Sequence, residues 1–275
     1  MKNIGTITWL TFQEAWRRWM VVVALALGVL FLLLFTIGFA LITSSLNPAM
    51  SEIQRRFNYN LLLMAGLYVT HFLTVMLAIF ASVDTVSGEI ASHTIQAIVT
   101  KPVRRWQVLL GKWLGYAAMI SLYLGLLAGG ILVAAYLLVG YLPPNSMAGV
   151  ALLVLEALVL LSLSLLGGTR LSTLTNGVLL FMLYGLAFIG AWVEQIGSLL
   201  QSHAAVNIGI LTSLLMPVEA LWRRAAYLMQ PPILSGLPSP FSGVSPPSTA
   251  MVLYALAYTA LALVLAMWSF SRRDL

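Results

Sequence analysis

Two ionisable side chains of this sequence lie where water should not reach. His71 and Glu156 each fall near the centre of a long apolar stretch, and Tyr68, Thr70 and Thr74 add polar atoms around His71. An ionisable group at the middle of a bilayer costs about 2.5–3.5 kcal/mol on insertion scales, so it faces protein or a water-filled cavity. His71, Glu156, Tyr68 and Thr74 are therefore candidates for a polar patch on a substrate path. A His71–Glu156 pair across spans could also carry an ion. The plain alternative is two packing groups, each satisfied on its own.

A second concentration of chemistry runs from Asp84 to Lys112. It holds two carboxylates (Asp84, Glu89), four basic groups (Lys101, Arg104, Arg105, Lys112) and His93. Ile90, Thr94, Ala97, Ile98 and Lys101 share one helical stripe, while Glu89, Ser92, His93 and Gln96 share another. That pattern predicts a short amphipathic helix to about Val99. Pro102 disfavours helical geometry at Lys101 and allows a new helix after itself, and Gly88 is expected to let the chain turn. The carboxylates read as a contact with basic groups on a partner or as a solvated face. The basic residues read as partner contacts or as phosphate headgroup anchors, each worth about 1 kcal/mol near an anionic leaflet.

No catalytic constellation is legible. Cysteine is absent and the three histidines are widely spaced, so no metal site is expected. No G-x-x-x-x-G-K-[ST] loop is present to cradle a nucleotide phosphate.

The elements that must position these residues follow from composition. Of 275 residues, 61% are hydrophobic and 8% charged, and the mean hydropathy is +0.98. Eight carboxylates and fourteen Lys/Arg cannot solvate a globular surface of this size, so the solvent is lipid. Six stretches reach the roughly 20 apolar residues a spanning helix needs: 20–42, 59–83, 113–141, 147–168, 173–193 and 250–270. The fold class is an all-α polytopic membrane protein forming a single domain over residues 1–275. A seventh apolar stretch, 196–216, carries Ser198, Gln201, Ser202, His203 and Asn207 and is expected to be interfacial or re-entrant, ending before Pro217.

Six spans place both termini on one side with the second–third and fourth–fifth loops. That side carries Lys2, Arg17, Arg18, Lys101, Arg104, Arg105, Lys112, Arg170, Arg272 and Arg273, against Arg55, Arg56, Arg223 and Arg224 opposite. Ten basic residues against four put both termini in the cytoplasm. The charge of +6 is thus orientation and lipid anchoring, with no nucleic acid partner.

Outside the spans, Trp9, Phe12, Trp16 and Trp19 recur at helical spacing and predict an amphipathic interfacial helix over 1–19 that anchors in the headgroup region. Residues 194–249 are expected to form extracytoplasmic helices and a loop holding six of the eleven prolines. There, 214–227 reads as a surface amphipathic helix with Glu219 paired to Arg223 at i,i+4.

The order Glu89, Thr94, Lys101-Pro102, Arg105 and Gly111-Lys112 resembles the E-x-x-x-G-T…P-x-x-R…K signature of ABC-2 type transporter permeases. The branch it is most similar to includes the nitrous-oxide-reductase maturation permease and multidrug or sodium export permeases. His93 stands where that signature usually has glycine. The resemblance implies a coupling helix within 84–112 that docks on a separate ATPase. Asp84, Gly88, Glu89, His93, Thr94, Gln96, Lys101, Pro102, Arg104, Arg105 and Lys112 are the coupling candidates. It also implies a non-enzymatic subunit of the inner membrane, with ATP and Mg on the partner ATPase and no cofactor in this chain. The working unit would hold two ATPases and a second permease copy, identical or related. It would export a substrate or do mechanical work on a periplasmic protein. An ion-coupled secondary transporter using His71 and Glu156 is the rival reading, although no inverted repeat is apparent.

Overall fold

The computed structural model describes residues 2–47, 49–91, 104–232 and 247–273, and within them every regular element is a helix. Nine helices follow in order: α1 (Lys2–Arg17), α2 (Trp19–Ser44), α3 (Glu52–Ala91), α4 (Arg105–Val139), α5 (Ser146–Gly168), α6 (Thr173–Leu199), α7 (His203–Leu215), α8 (Val218–Met229) and α9 (Thr249–Ser271). Six of them, α2 to α6 and α9, are long and apolar enough to cross a membrane. They coincide with the six apolar stretches of the sequence.

The helices exceed those stretches mainly at α3 and α4. Forty residues of α3 rise about 60 Å at ~1.5 Å per residue, twice the roughly 30 Å of a hydrocarbon core. Its polar ends, Glu52–Asn58 and Asp84–Ala91, therefore project beyond the apolar middle. Gly88 lies inside this helix and makes no turn. Its missing side chain instead leaves room for Asp84, because a Cβ there would stand 2.0 Å from Asp84 Oδ1. Gly140 does end a helix: it closes α4 with a left-handed φ of 65° and donates its N–H to Tyr136 O.

The core lies where α3, α4 and α5 meet α8, with Leu67, Ile79, Ile120, Leu124, Leu160, Leu221 and Trp222 fully enclosed. α2 is peripheral, exposing Leu30, Leu33, Leu34, Ile37 and Leu41. α1 lies along α4, where Gly111 and Gly115 admit it. A Cβ at Gly111 would meet Ile7 Cγ2 at 2.7 Å, and one at Gly115 would meet Thr8 O at 3.0 Å. The same spacing at Gly125 and Gly129 has nothing within 4 Å.

The seventh apolar stretch is not one helix. α6 runs on to Leu199, the chain reverses through Gln201 at φ 53°, and α7 doubles back along α6. Glycines permit that contact: Cβ atoms at Gly197 and Gly190 would strike Ala205 Cβ at 2.5 Å and Thr212 Oγ1 at 1.8 Å. Pro217, lacking an N–H, ends α7, and α8 leaves at 105° to it. α8 then returns to the end where α5 begins, placing Met229 against Gly149 and Leu228 O within 3.3 Å of Asn145 Nδ2. Together α7 and α8 form a V that enters and leaves the bundle at the same end. Tyr254 and Tyr258 of α9 donate to Leu214 O and Leu215 O at 2.6 and 3.0 Å, satisfying the last carbonyls of α7 at the apex.

Candidate functional site

The apex of the V delivers α8 to the depth of His71 and Glu156. His71 is near the midpoint of α3 and Glu156 near that of α5, and both are buried. Their side chains meet, with Nδ1 of His71 2.6 Å from Oε1 of Glu156. The other face of the imidazole, at Nε2, lies 3.3 Å from the Tyr184 hydroxyl of α6 and 3.6 Å from Oε2 of Glu219 of α8. One histidine thus stands between two carboxylates brought from different helices. Tyr68, one turn before His71, stacks against it at 5.6 Å between ring centroids, and Trp222 lies 5.3 Å from His71 and 5.1 Å from Tyr68, so the three rings form one cluster. Thr74 stays out of the cluster, since its hydroxyl donates to Thr70 O at 2.8 Å within α3.

Glu219 and Arg223 differ from the surface helix expected for 214–227. α8 begins only after Pro217, and Glu219, Trp222 and Arg223 are buried. Arg223 reaches across to α6, its Nη2 2.8 Å from Glu194 Oε2 and 3.4 Å from Ser213 Oγ. Three charges in a twelve-residue helix read as a surface pattern. The countersign was Ala220, Ala225 and Ala226, small residues that let the helix sink between α5 and α6. Between α6 and α8 a cavity of about 70 Å³ remains, bordered by Tyr68, Trp192, Glu219 and Trp222.

At the opposite end of the bundle the ends of α3, α5 and α9 meet the starts of α4 and α6. Thr173 donates to Asp84 Oδ1 at 3.2 Å, and the Ser87 and Thr173 hydroxyls lie 2.8 Å apart. Arg18, between α1 and α2, bonds Glu14 at 2.9 Å and lies 3.8 Å from Asp84. Arg105 donates to Arg273 O, Arg273 to Thr169 O, and Arg170 to Ser269 Oγ at 3.0 Å. The basic residues counted on one side in the sequence thus gather at one end wherever they are described.

Among the coupling candidates, Asp84, Arg104 and Arg105 rim this end, Arg104 capping α4 as its N–H donates to Gln107 Oε1 at 3.3 Å. Lys112 is instead buried, its Nζ 3.4 Å from Thr85 O of α3, so it ties two spans together. His93, Thr94, Gln96, Lys101 and Pro102, and the side chain of Glu89, lie outside the described residues. Trp9, Phe12 and Trp16 form a ladder along α1 with centroids 6.2 and 6.1 Å apart, Trp9 and Trp16 being exposed. Trp19 belongs to α2, because Arg18 is extended and separates the two helices.

The arrangement is that of a multi-pass helical membrane protein with a polar centre and a charged, cross-braced end. The chain belongs to the ABC-2 family of transporter proteins, whose family model matches residues 6–275. It is thereby the membrane component of an ABC transporter, a subunit of a typically non-catalytic kind that pairs with an ABC ATPase. No curated protein sequence gives a significant match to it.

Proposed function

We propose that this chain is the export permease of an ATP-driven transporter and that its cross-braced end is where ATP-driven movement enters. The supporting observation is the convergence of Asp84, Arg18, Thr173, Arg105 and Arg273 on the ends of α3 and α4, the two helices that flank the segment 92–103. A partner pressing on that segment would act through two long helices, one carrying His71 at its middle. The ten-to-four distribution of basic residues supports a cytoplasmic location for this end and both termini, in an inner membrane. ATP and Mg would be held by two copies of the ATPase, beside two permease copies.

In this reading the V formed by α7 and α8 is re-entrant from the outer side, and the cluster around His71 lies on the substrate path. The exposed aromatic ladder of α1 rests among lipid headgroups. The test is reconstitution of the permease with its ATPase in proteoliposomes. Glu89→Lys should reduce substrate-stimulated ATP hydrolysis, and deletion of residues 89–105 should abolish co-purification of the ATPase. Full recruitment and unchanged coupling in both variants would refute the proposal.

A further inference from the structure

The charges around the V do not balance in pairs. Arg223 is matched by Glu194 at 2.8 Å and His71 by Glu156 at 2.6 Å. That leaves Glu219 as an odd carboxylate. Among the described residues the basic atom nearest to it is His71 Nε2, at 3.6 Å, too far for a hydrogen bond and with the Tyr184 hydroxyl also 3.3 Å from that nitrogen. Oε2 of Glu219 has no hydrogen-bond partner among the described residues although the residue is only 4% exposed. A buried carboxylate in that state is costly, and a cation beside it removes the cost.

The space beside it suits an organic cation. Glu219 borders the cavity between α6 and α8, together with the rings of Tyr68, Trp192 and Trp222 and the side chain of Gln195. Aromatic rings around a carboxylate attract ammonium groups through the ring quadrupole and through charge. Arg223 also borders the cavity; its Nη2 is bonded to Glu194 and Ser213, while its Nε has no hydrogen-bond partner among the described residues. A volume of about 70 Å³ is several times the roughly 10–15 Å³ that one water needs, so it admits an aminomethyl-sized head. Trp192 is 44% exposed, which leaves an exit for a longer tail between α6 and α8.

We propose that this cavity is a binding site for the primary ammonium group of an amphiphilic amine, with Glu219 as its counter-ion. The inference rests on the export-permease reading and deepens it by naming a class of substrate. An ammonium head supplies the N–H donor that Glu219 Oε2 lacks, and the tail follows Trp192 toward the surface.

The test is equilibrium binding of hexylammonium chloride to the purified full-length permease, followed by tryptophan fluorescence, with 1-hexanol as the uncharged control. Saturable binding is expected for hexylammonium, with hexanol roughly tenfold weaker or worse, the scale of one charge-assisted contact. Glu219→Gln should weaken hexylammonium by a similar factor. Trp192→Ala, at a partly exposed site, should weaken it several-fold and serves if Glu219→Gln does not fold. Binding that hexanol matches, or that neither substitution alters, overturns the proposal. Absence of binding together with proton uptake at Glu219 also overturns it, a proton then being the missing cation. Because the isolated permease is used, failure here leaves ATPase coupling through 84–112 standing. Binding without stimulation of ATP hydrolysis in the full complex would instead count against the transport reading alone.

Discussion

The Arg223–Glu194 pair holds the inner arm of the V against α6, and its removal should be felt as lost stability. Its two side chains are 8% and 14% exposed and 2.8 Å apart. At an effective dielectric constant near 20, unit charges about 4 Å apart attract by roughly 4 kcal/mol. Most of that attraction is offset by the cost of taking both groups out of water, so the pair itself adds little. Deleting one partner is different, because it strands the other charge, typically at about 3–5 kcal/mol. Partial exposure of Glu194 allows some hydration, which puts Arg223→Met near the lower bound, about 3 kcal/mol. Adding Glu194→Gln to Arg223→Met removes the stranded charge and should recover about 2 kcal/mol of that loss. The measurement is reversible unfolding of the detergent-solubilised permease in rising mole fractions of sodium dodecyl sulfate, followed by tryptophan fluorescence. Trp192 and Trp222 both border the cavity next to this pair and report on its opening. If the losses for the two single variants simply add in the double variant, within about 0.5 kcal/mol, the pair does not brace the V and the reasoning fails.

Other outcomes follow from the same geometry. Glu156→Leu should destabilise by about 3 kcal/mol by leaving His71 without its 2.6 Å partner; the double variant His71→Leu/Glu156→Leu should be the more stable of the two in the same unfolding assay. Gly115→Val should cost about 1–3 kcal/mol through overpacking and release α1 from α4, read as faster proteolysis ahead of Trp19. Gly129→Ala meets nothing within 4 Å and should be neutral or stabilising by up to about 1 kcal/mol, unless a second copy covers that face, in which case cross-linked dimer yield falls. Tyr254→Phe removes a 2.6 Å bond to Leu214 O and should cost about 1 kcal/mol, measurable as faster amide exchange around Pro217.

The spanning helices were legible because lipid imposes a length and an apolar composition that few other constraints can mimic. The His71–Glu156 contact was legible for a related reason, since two ionisable groups at mid-bilayer are cheapest when they meet. The end of the apolar stretch 196–216 before Pro217 was legible too; what escaped was the burial of the helix that follows it. Glu219, Arg223 and Trp222 occupy a short, charged helix, and its local pattern is indistinguishable from one lying on a surface. Their burial is decided by Gly190, Gly197 and Pro217, which let α7 fold onto α6 and turn α8 inward, a tertiary outcome with no periodicity of its own. Gly88 shows the same limit on a smaller scale: a glycine that reads as a turn serves as clearance for Asp84 within an unbroken helix.

The V also explains why so few charges sit in the bundle and why those present are grouped. A carboxylate on a continuous spanning helix must be satisfied by whatever neighbours happen to pass it. A pair of helices bent by 105° can carry a carboxylate in from the aqueous end and set it opposite a chosen partner, here the Nε2 side of His71. It keeps the backbone at the apex satisfied through Pro217, which has no N–H to bury, and through the two tyrosines of α9 that take up the last carbonyls of α7. α3, which carries His71, is tied at its far end to Thr173 of α6 through Asp84 and Ser87, and α6 in turn holds α8 through Glu194 and Arg223, so one helix is bonded both to the cross-braced end and to the element that carries Glu219.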